Sequence, residues 1–362
     1  MMILDKYEDF LVKNASQITS IESSLRSLTY ILPGRFQDAE FASQAIYAAL
    51  HLIGLHHNTI LRRAARQHAQ ETHTQLTEET KFNKYFLYWT NRSEIYKRTS
   101  ALLSVIQYTQ VLTEMAVMKQ WGKKAQWRWI ASVESLKAIL KLIVLHVTSH
   151  RMNLSPTHLQ RNVDPATLVP TIAPKEPNTW TAKRTGKQVP GIASTVSLDP
   201  KTQKKYTDVT DYLLSKVLTP EKLRKPEDMV HTLSPLGRLG EILAILRPLI
   251  YVFSILRFGK RSWTPWILSL LAEIGSQLAL YKSFNTDGNP SMMPLEKQEF
   301  YRRIRAMWYN LLRGAFYTYI TRPRFERFCN SVENKTLMSI PGSILRDYLP
   351  LWEKIYFYTS SS

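Results

Sequence analysis

Cysteine is almost missing from this sequence, since Cys329 is the single one among 362 residues. One cysteine cannot form an intrachain disulfide or supply a cysteine-based zinc site, so the sequence indicates a reducing compartment. Glycine is also scarce, at 12 residues. That scarcity argues against glycine-rich nucleotide loops and turn-rich all-β folds, because both need many positions with positive φ. Helix is therefore the expected main secondary structure.

Common catalytic motifs are missing as well. The chain contains no nucleophile elbow (G-x-S-x-G), Walker A loop, dinucleotide-binding fingerprint or H-E-x-x-H metal helix. His146 and His150 are four residues apart and could share one helix face, but no acidic residue lies near them to complete a metal site. We therefore expect no enzyme, cofactor, metal or small-molecule substrate; a lipid-modifying enzyme is an alternative with no motif to support it.

Terminal targeting signals are not recognisable. The stretch Met1 to Phe10 mixes charged and apolar residues and lacks the apolar centre of a secretory signal. The last five residues resemble neither a peroxisomal import tripeptide nor a prenylation box. Targeting is therefore expected to depend on internal segments.

No long apolar run is free of charge. The best candidates for membrane spans are 239–256, interrupted by Glu241 and Arg247, and 262–281, which carries Glu273. An acidic group at the centre of a span costs about 3 kcal/mol, whereas each Leu or Ile contributes roughly -0.5 kcal/mol. We expect these segments to insert only with a partner helix, or else to lie in a protein core or at the bilayer surface.

Positive charge is abundant, with 48 Lys and Arg against 29 Asp and Glu, a net charge of +19. Such a surplus favours polyanionic partners, either nucleic acid or the anionic surface of a membrane. The basic residues form short groups beside apolar segments, such as Arg257, Lys260 and Arg261 next to Trp263 and Trp266. This placement predicts contact with membrane lipid. A solvated basic face and a basic helical nucleic-acid-associated protein are the alternatives.

Helical periodicity fills both ends of the chain. We predict an all-α fold, a membrane-associated helical bundle in two halves (1–148 and 235–362) separated by a long flexible proline-rich insertion (149–234). The polar run 67–84 is predicted to be a loop. The predicted helices cover 18–32, the region from 38 to the arginines at 62–66, and then 93–118, 126–147, 239–258, 263–281 and 296–320.

The C-terminal segment is unusually aromatic for a chain end. A short helix after Pro350 would place Trp352, Ile355 and Tyr356 on one face. We expect this stripe to dock either on the protein's own helices or on a partner. The residues predicted to make such contacts are Tyr348, Leu351, Trp352, Ile355, Tyr356 and Phe357.

Three separate blocks of the sequence match the pattern of one known protein family. The first runs from Ile21 to Glu40 and contains Pro33, Gly34 and Arg35, which are expected to be structural. The second is 259–266 and the third is 347–358. In this order, the three blocks resemble the peroxin-sixteen family of peroxisomal membrane biogenesis factors.

The resemblance implies a non-catalytic membrane scaffold or receptor. Such proteins are expected at the peroxisomal and endoplasmic reticulum membranes, with most of the chain facing the cytosol. They help to insert peroxisomal membrane proteins by recruiting peroxin three, while peroxin nineteen delivers the cargo. The resemblance implies no role for nucleic acid.

Overall fold

The structure of the chain is a computed structural model. It describes residues 6–7, 10–11, 13–31, 39–71, 80–161, 179–181, 188–190, 225–285, 292–332, 342, 345–346 and 349. The chain divides into a unit formed by Met1–Leu168 with Pro226–Ser362 and a second unit, Val169–Lys225. In the second unit, strands β1 (Thr179–Thr181) and β2 (Gln188–Pro190) pair antiparallel, with Trp180 opposite Val189.

The first unit is helical, which confirms the predicted all-α class with helical parts on both sides of the insertion. The division at 148 and 234 remains a prediction. A 3₁₀ turn (Trp308–Leu312), one α-helical turn (Gly314–Phe316) and a π-helical turn (Tyr317–Thr321) lie between the last two helices. The helices are α1 (Ala15–Ile31), α2 (Ala39–Glu71), α3 (Lys81–Arg92), α4 (Glu94–Val147), α5 (Pro235–Phe258), α6 (Trp263–Phe284), α7 (Pro294–Met307) and α8 (Arg322–Val332).

Helix α3 corrects the prediction of a loop over 67–84, because α2 continues to Glu71 and α3 begins at Lys81. The Thr80 hydroxyl caps α3 by accepting a hydrogen bond from the Asn83 N–H at 3.3 Å. Phe82, Phe86 and Trp89 follow at helical spacing and enter the main core. That core also contains Tyr96 and Leu103 of α4, Leu280 and Phe284 of α6, and Leu295 and Phe300 of α7.

The predicted helices 93–118 and 126–147 are both present within α4, which changes direction between them. The backbone bends at Gly122, whose φ of 79° and ψ of -179° are outside the helical region. Glycine tolerates this conformation because it has no Cβ. The predicted helix 296–320 is wrong beyond Met307, where the regular α-helix ends. The turn predicted at 287–290 and a local helix predicted at 206–217 lie outside the described residues.

Both ends of the predicted insertion (149–234), residues 149–161 and 226–234, belong to the helical unit and contact its helices. At its start, the Arg161 guanidinium contacts a carboxylate oxygen of Glu22 at 3.2 Å and the side-chain oxygen of Asn58 at 2.7 Å. At its end, the Arg151 guanidinium donates to the backbone carbonyls of Glu227 and Val230, and Tyr88 donates to the Glu227 carboxylate. The helices therefore hold the chain on either side of residues 162–225.

Candidate functional site

The turn between α5 and α6 carries the basic group that the sequence singled out. Arg257, Lys260 and Arg261 are all exposed there. Gly259, with a φ of 86°, ends α5 and donates its N–H to the Ile255 carbonyl at 2.8 Å. A residue with a Cβ would be strained in this conformation, so the glycine makes the tight reversal between the helices possible.

A second basic group lies at the same end of the molecule. It comes from the bend of α4, where Lys119, Lys123, Lys124 and Arg128 are exposed. The Lys260 ammonium lies 5.2 Å from the centre of the Trp127 ring, a cation–π contact that joins the two groups. We call these seven cations the basic end. Lys119, Lys123 and Lys124 are also a short basic group in the sequence, but the sequence could not show that residues about 130 positions apart are neighbours.

Aromatic rings pack against one another next to the basic end, at the start of α6. The Trp266 indole N–H donates to the Asn310 carbonyl at 2.9 Å, and its ring stacks on Phe316 with 5.2 Å between centroids. Trp263 stacks on Tyr319 at 6.1 Å and remains 39% exposed. Phe316 and Tyr319 were not predicted as site residues, because they belong to the irregular turns after α7 and show no simple period.

The aromatic tail is described only at its start. Leu349 is buried, and its carbonyl accepts a hydrogen bond from the Tyr317 hydroxyl at 2.8 Å. This contact places the beginning of the tail beside the turns that hold Trp266. The remaining predicted contact residues (Tyr348, Leu351, Trp352, Ile355, Tyr356 and Phe357) and the predicted structural residues (Pro33, Gly34 and Arg35) lie outside the described residues.

Helix α6 exposes an unbroken apolar stripe. Its members are spaced four and three residues apart, so they share one face over about 21 Å of helix. Leu271 is 60% exposed and Leu278 is 61% exposed. Surface hydrophobic residues usually occur singly, and a continuous stripe marks a surface that contacts protein or lipid. The apolar stripe consists of Ile267, Leu271, Ile274, Leu278 and Tyr281.

The charged residues that interrupt the two apolar segments point into the protein. Arg247 of α5 and Glu273 of α6 form an ion pair of 3.0 Å, and each side chain is less than a tenth exposed. The Asn310 amide donates to the same Glu273 carboxylate at 2.5 Å. Charges that are unfavourable in an isolated segment are therefore neutralised inside the bundle.

Helix α4 also buries an ion pair, as α5 and α6 do. The Lys137 ammonium contacts the Glu134 carboxylate at 2.9 Å and the Gln110 side-chain oxygen at 2.8 Å. Burial raises the pKa of nearby Glu114 to about 8, so this carboxyl is mostly protonated at neutral pH. Few of the charges that the sequence places in these segments therefore lie on the outer surface of the helices.

Small residues let α5 and α6 approach closely. A Cβ on Gly240 would lie 3.0 Å from the Ala279 Cβ and 3.0 Å from the Ser276 carbonyl, and a Cβ on Gly237 would lie 2.5 Å from the Ser283 hydroxyl. Tight contact through small residues is typical of helix pairs in membranes. Among the described residues, α5 alone is long and apolar enough to cross a membrane by length and composition, and 44% of its most apolar window is buried.

Comparisons with known proteins agree on one family. A family model described as Peroxisomal membrane protein (Pex16) matches residues 5–354. Peroxisome biogenesis factor 16 of Dictyostelium discoideum is 38% identical over 129 residues, 34% of this chain and 31% of that protein. Peroxisomal membrane protein PEX16 of Schizosaccharomyces pombe is 26% identical over 294 residues, 77% of this chain and 76% of that protein.

A plant relative matches over its whole length. Peroxisome biogenesis protein 16 of Arabidopsis thaliana is 22% identical over 391 aligned positions, covering 99% of this chain and 100% of that protein. No solved structure matches the chain significantly.

Proposed function

Since this chain belongs to the Pex16 family of peroxisomal membrane proteins, we propose that it is a non-catalytic docking factor of peroxisomal membrane biogenesis. In this proposal, α5 and α6 attach the protein to the membrane, and the other helices present a surface to further peroxins. Peroxin three is the partner recruited first, and peroxin nineteen delivers the cargo. The protein acts at the peroxisomal and endoplasmic reticulum membranes with most of its chain facing the cytosol.

The apolar stripe is the observation that carries this proposal. Ionisable residues in membrane segments face the bundle interior and pair with one another, while apolar residues face the lipid. Helices α5 and α6 have this arrangement, since Arg247 pairs with Glu273 inside and Leu271 and Leu278 lie outside. A water-soluble helix pair of the usual kind would bury such a stripe.

The basic end supports an anionic lipid surface as the second contact. Lys and Arg next to tryptophans suit the headgroup layer, where the rings sit at the interface and the cations meet anionic lipids. The basic end adjoins the start of α6 and therefore continues into the apolar stripe. This continuity favours a membrane over nucleic acid, which would not contact the stripe.

Reversing the charge of the basic end should weaken membrane binding. We expect the triple variant Arg257→Glu, Lys260→Glu, Arg261→Glu to bind anionic vesicles much less tightly, because each lost cation removes about 1 kcal/mol of attraction. Co-sedimentation of the purified chain with vesicles of increasing anionic lipid content measures the effect. The difference between the proteins should shrink as salt concentration rises.

A matched triple variant tests whether position matters. Lys97, Arg98 and Lys297 are also exposed but lie on α4 and α7, outside the basic end. Their replacement by glutamate changes the net charge equally and should have a clearly smaller effect. Equal losses for both triple variants would show that only the total charge matters.

Relocation of the full chain tests partner recruitment. When the chain is fused to a mitochondrial outer-membrane anchor, we expect peroxin three to collect on mitochondria in cells that lack the endogenous protein. Truncation after Arg346 should abolish this recruitment if the aromatic tail forms the partner surface. A relocated and folded full-length chain that leaves peroxin three elsewhere would contradict the proposed role.

A further inference from the structure

A cavity of about 110 Å³ lies between α3, α4, α5, α6 and α7. Four cationic side chains line it (Lys141, Arg247, Arg302 and Arg303), together with three acidic ones (Glu241, Glu273 and Glu299). The lining therefore has a net charge of +1, that is, four positive charges against three negative ones. Part of the wall is apolar and includes Leu103, Val144 and Ile245.

All three carboxylates are already paired with arginine. Glu273 contacts Arg247 at 3.0 Å, and Glu241 contacts Arg303 at 2.7 Å. Glu299 contacts both Arg302 and Arg303, at 2.7 and 2.9 Å. These arginines hold the pKa of Glu299 below its usual value, although burial acts in the opposite direction.

Lys141 is the cation of the cavity lining that these ion pairs do not include. Within the part of the chain that the structure describes, its ammonium makes no ion pair or hydrogen bond. The Glu134 carboxylate, two helical turns away on the same helix, is occupied by Lys137 and Gln110. A positive charge facing a partly enclosed cavity without a partner is unfavourable unless a ligand or water compensates it.

Unpaired hydroxyl groups line the same cavity. Ser276 is 1% exposed and Tyr85 is 3% exposed, and neither hydroxyl donates a hydrogen bond to an acceptor among the described residues. Buried polar groups are nearly always hydrogen-bonded, so two orphan donors beside one cation point to something that accepts from them. The side-chain oxygens of Asn153 and Gln277 are also unpaired, and Lys141 has three N–H donors to share among its neighbours.

We propose that this cavity binds the carboxylate of an aliphatic monocarboxylic acid, with Lys141 as its counter-charge and the hydroxyls of Ser276 and Tyr85 as hydrogen-bond donors. One negative charge balances the net charge of the lining, whereas a doubly charged phosphate monoester would leave an excess negative charge buried. Leu103, Val144 and Ile245 supply apolar contacts for the adjoining methylene groups. The acid is either a short free acid or the head of a longer fatty acid.

The site should depend on pH through Lys141. Burial lowers the pKa of Lys141 to about 8, and neighbouring cations add to the effect. A bound carboxylate stabilises the protonated lysine, so binding should be constant from about pH 6 to pH 7 and should weaken as pH rises through 8 and beyond. The charged groups around the lysine are Lys137 and Glu134 of α4, Glu241 and Arg247 of α5, Glu273 of α6, and Glu299, Arg302 and Arg303 of α7.

Titration calorimetry of the purified full chain with butyrate and with laurate at pH 7 tests the proposal. We expect the wild type to bind at least one of them; butyrate binding indicates a short free acid, and laurate binding alone indicates a fatty acid. Lys141→Met should weaken binding roughly tenfold or more, since a charge-assisted hydrogen bond is lost. Lys297→Met, at an exposed position of α7, should bind like the wild type.

A second variant keeps the test decisive. If Lys141→Met does not fold, as judged by circular dichroism, Ser276→Ala removes one donor without adding volume and should weaken binding several-fold. A wild type that binds neither acid would overturn the proposal, and so would equal affinity in the wild type and in whichever of these variants fold. The site stands apart from the proposed docking function, so its failure would leave membrane attachment and peroxin recruitment unaffected.

Discussion

Glutamate at Leu271 and Leu278 should release the protein from membranes. Leu271 lies in the N-terminal half of the apolar stripe and Leu278 in its C-terminal half. The two side chains are about equally exposed, at 60% and 61%. A charged side chain within the hydrocarbon costs about 3 kcal/mol, so two of them remove roughly 6 kcal/mol of membrane affinity. Carbonate extraction of isolated organelles should shift the double variant from the pellet to the soluble fraction.

Ile95→Glu is the matched control for this change. Ile95 is 60% exposed, like the two leucines, but it lies near the start of α4 and outside the apolar stripe. We expect this variant to remain in the membrane pellet. Retention of the Leu271 and Leu278 double variant in the pellet would show that the stripe does not face lipid, and proteolysis of the extracted protein would show whether each variant is folded.

Removing Glu273 alone should destabilise the helical unit severely. Glu273→Leu takes away the carboxylate that faces Arg247 and Asn310, while Arg247 and Arg313 remain buried near each other. Breaking a buried ion pair on one side costs about 3–5 kcal/mol, because the remaining charge loses its compensation. The thermal midpoint of the purified protein and its amount in cells should both fall strongly.

The double variant Arg247→Met, Glu273→Leu separates loss of charge balance from loss of the side chain. Replacement of both partners by apolar groups of similar size is often tolerated, so the double variant should recover much of the lost stability. Glu326→Leu serves as the control, because Glu326 is exposed, its partner Arg322 is partly exposed, and a surface pair contributes little. A single Glu273 variant as stable as this control would contradict the inferred role of the pair.

The sequence predicted the positions of most helices, but it did not predict which helices pack against each other. Periodicity located α1, α5 and α6, because each has a regular apolar pattern and a clear end. It missed α3, although Phe82, Tyr85, Phe86 and Trp89 are spaced three, one and three residues apart, a helical pattern. Lysine, asparagine and threonine around these rings made the segment look polar, and packing against α4 and α7 decides its structure.

The site itself could be predicted only in part. Arg247 and Glu273 were recognised as obstacles to membrane insertion, but a linear pattern does not reveal that two charges 26 residues apart neutralise each other. Likewise, Lys260 and Trp127 are about 130 positions apart in the sequence and meet only in the folded chain. Hydropathy adds residues one at a time, whereas the free energy of a buried charge depends on its partner.

Attachment of the insertion at both ends has a consequence for its length. The chain is held on both sides of residues 162–225, since Arg161 contacts Glu22 and Asn58, and Glu227 contacts Tyr88 and Arg151. The entropy of closing a loop grows only logarithmically, by about 0.6 kcal/mol for each doubling of its length. Insertions and deletions between these anchors are therefore nearly neutral for folding, so selection on the fold leaves the length of this segment free to drift.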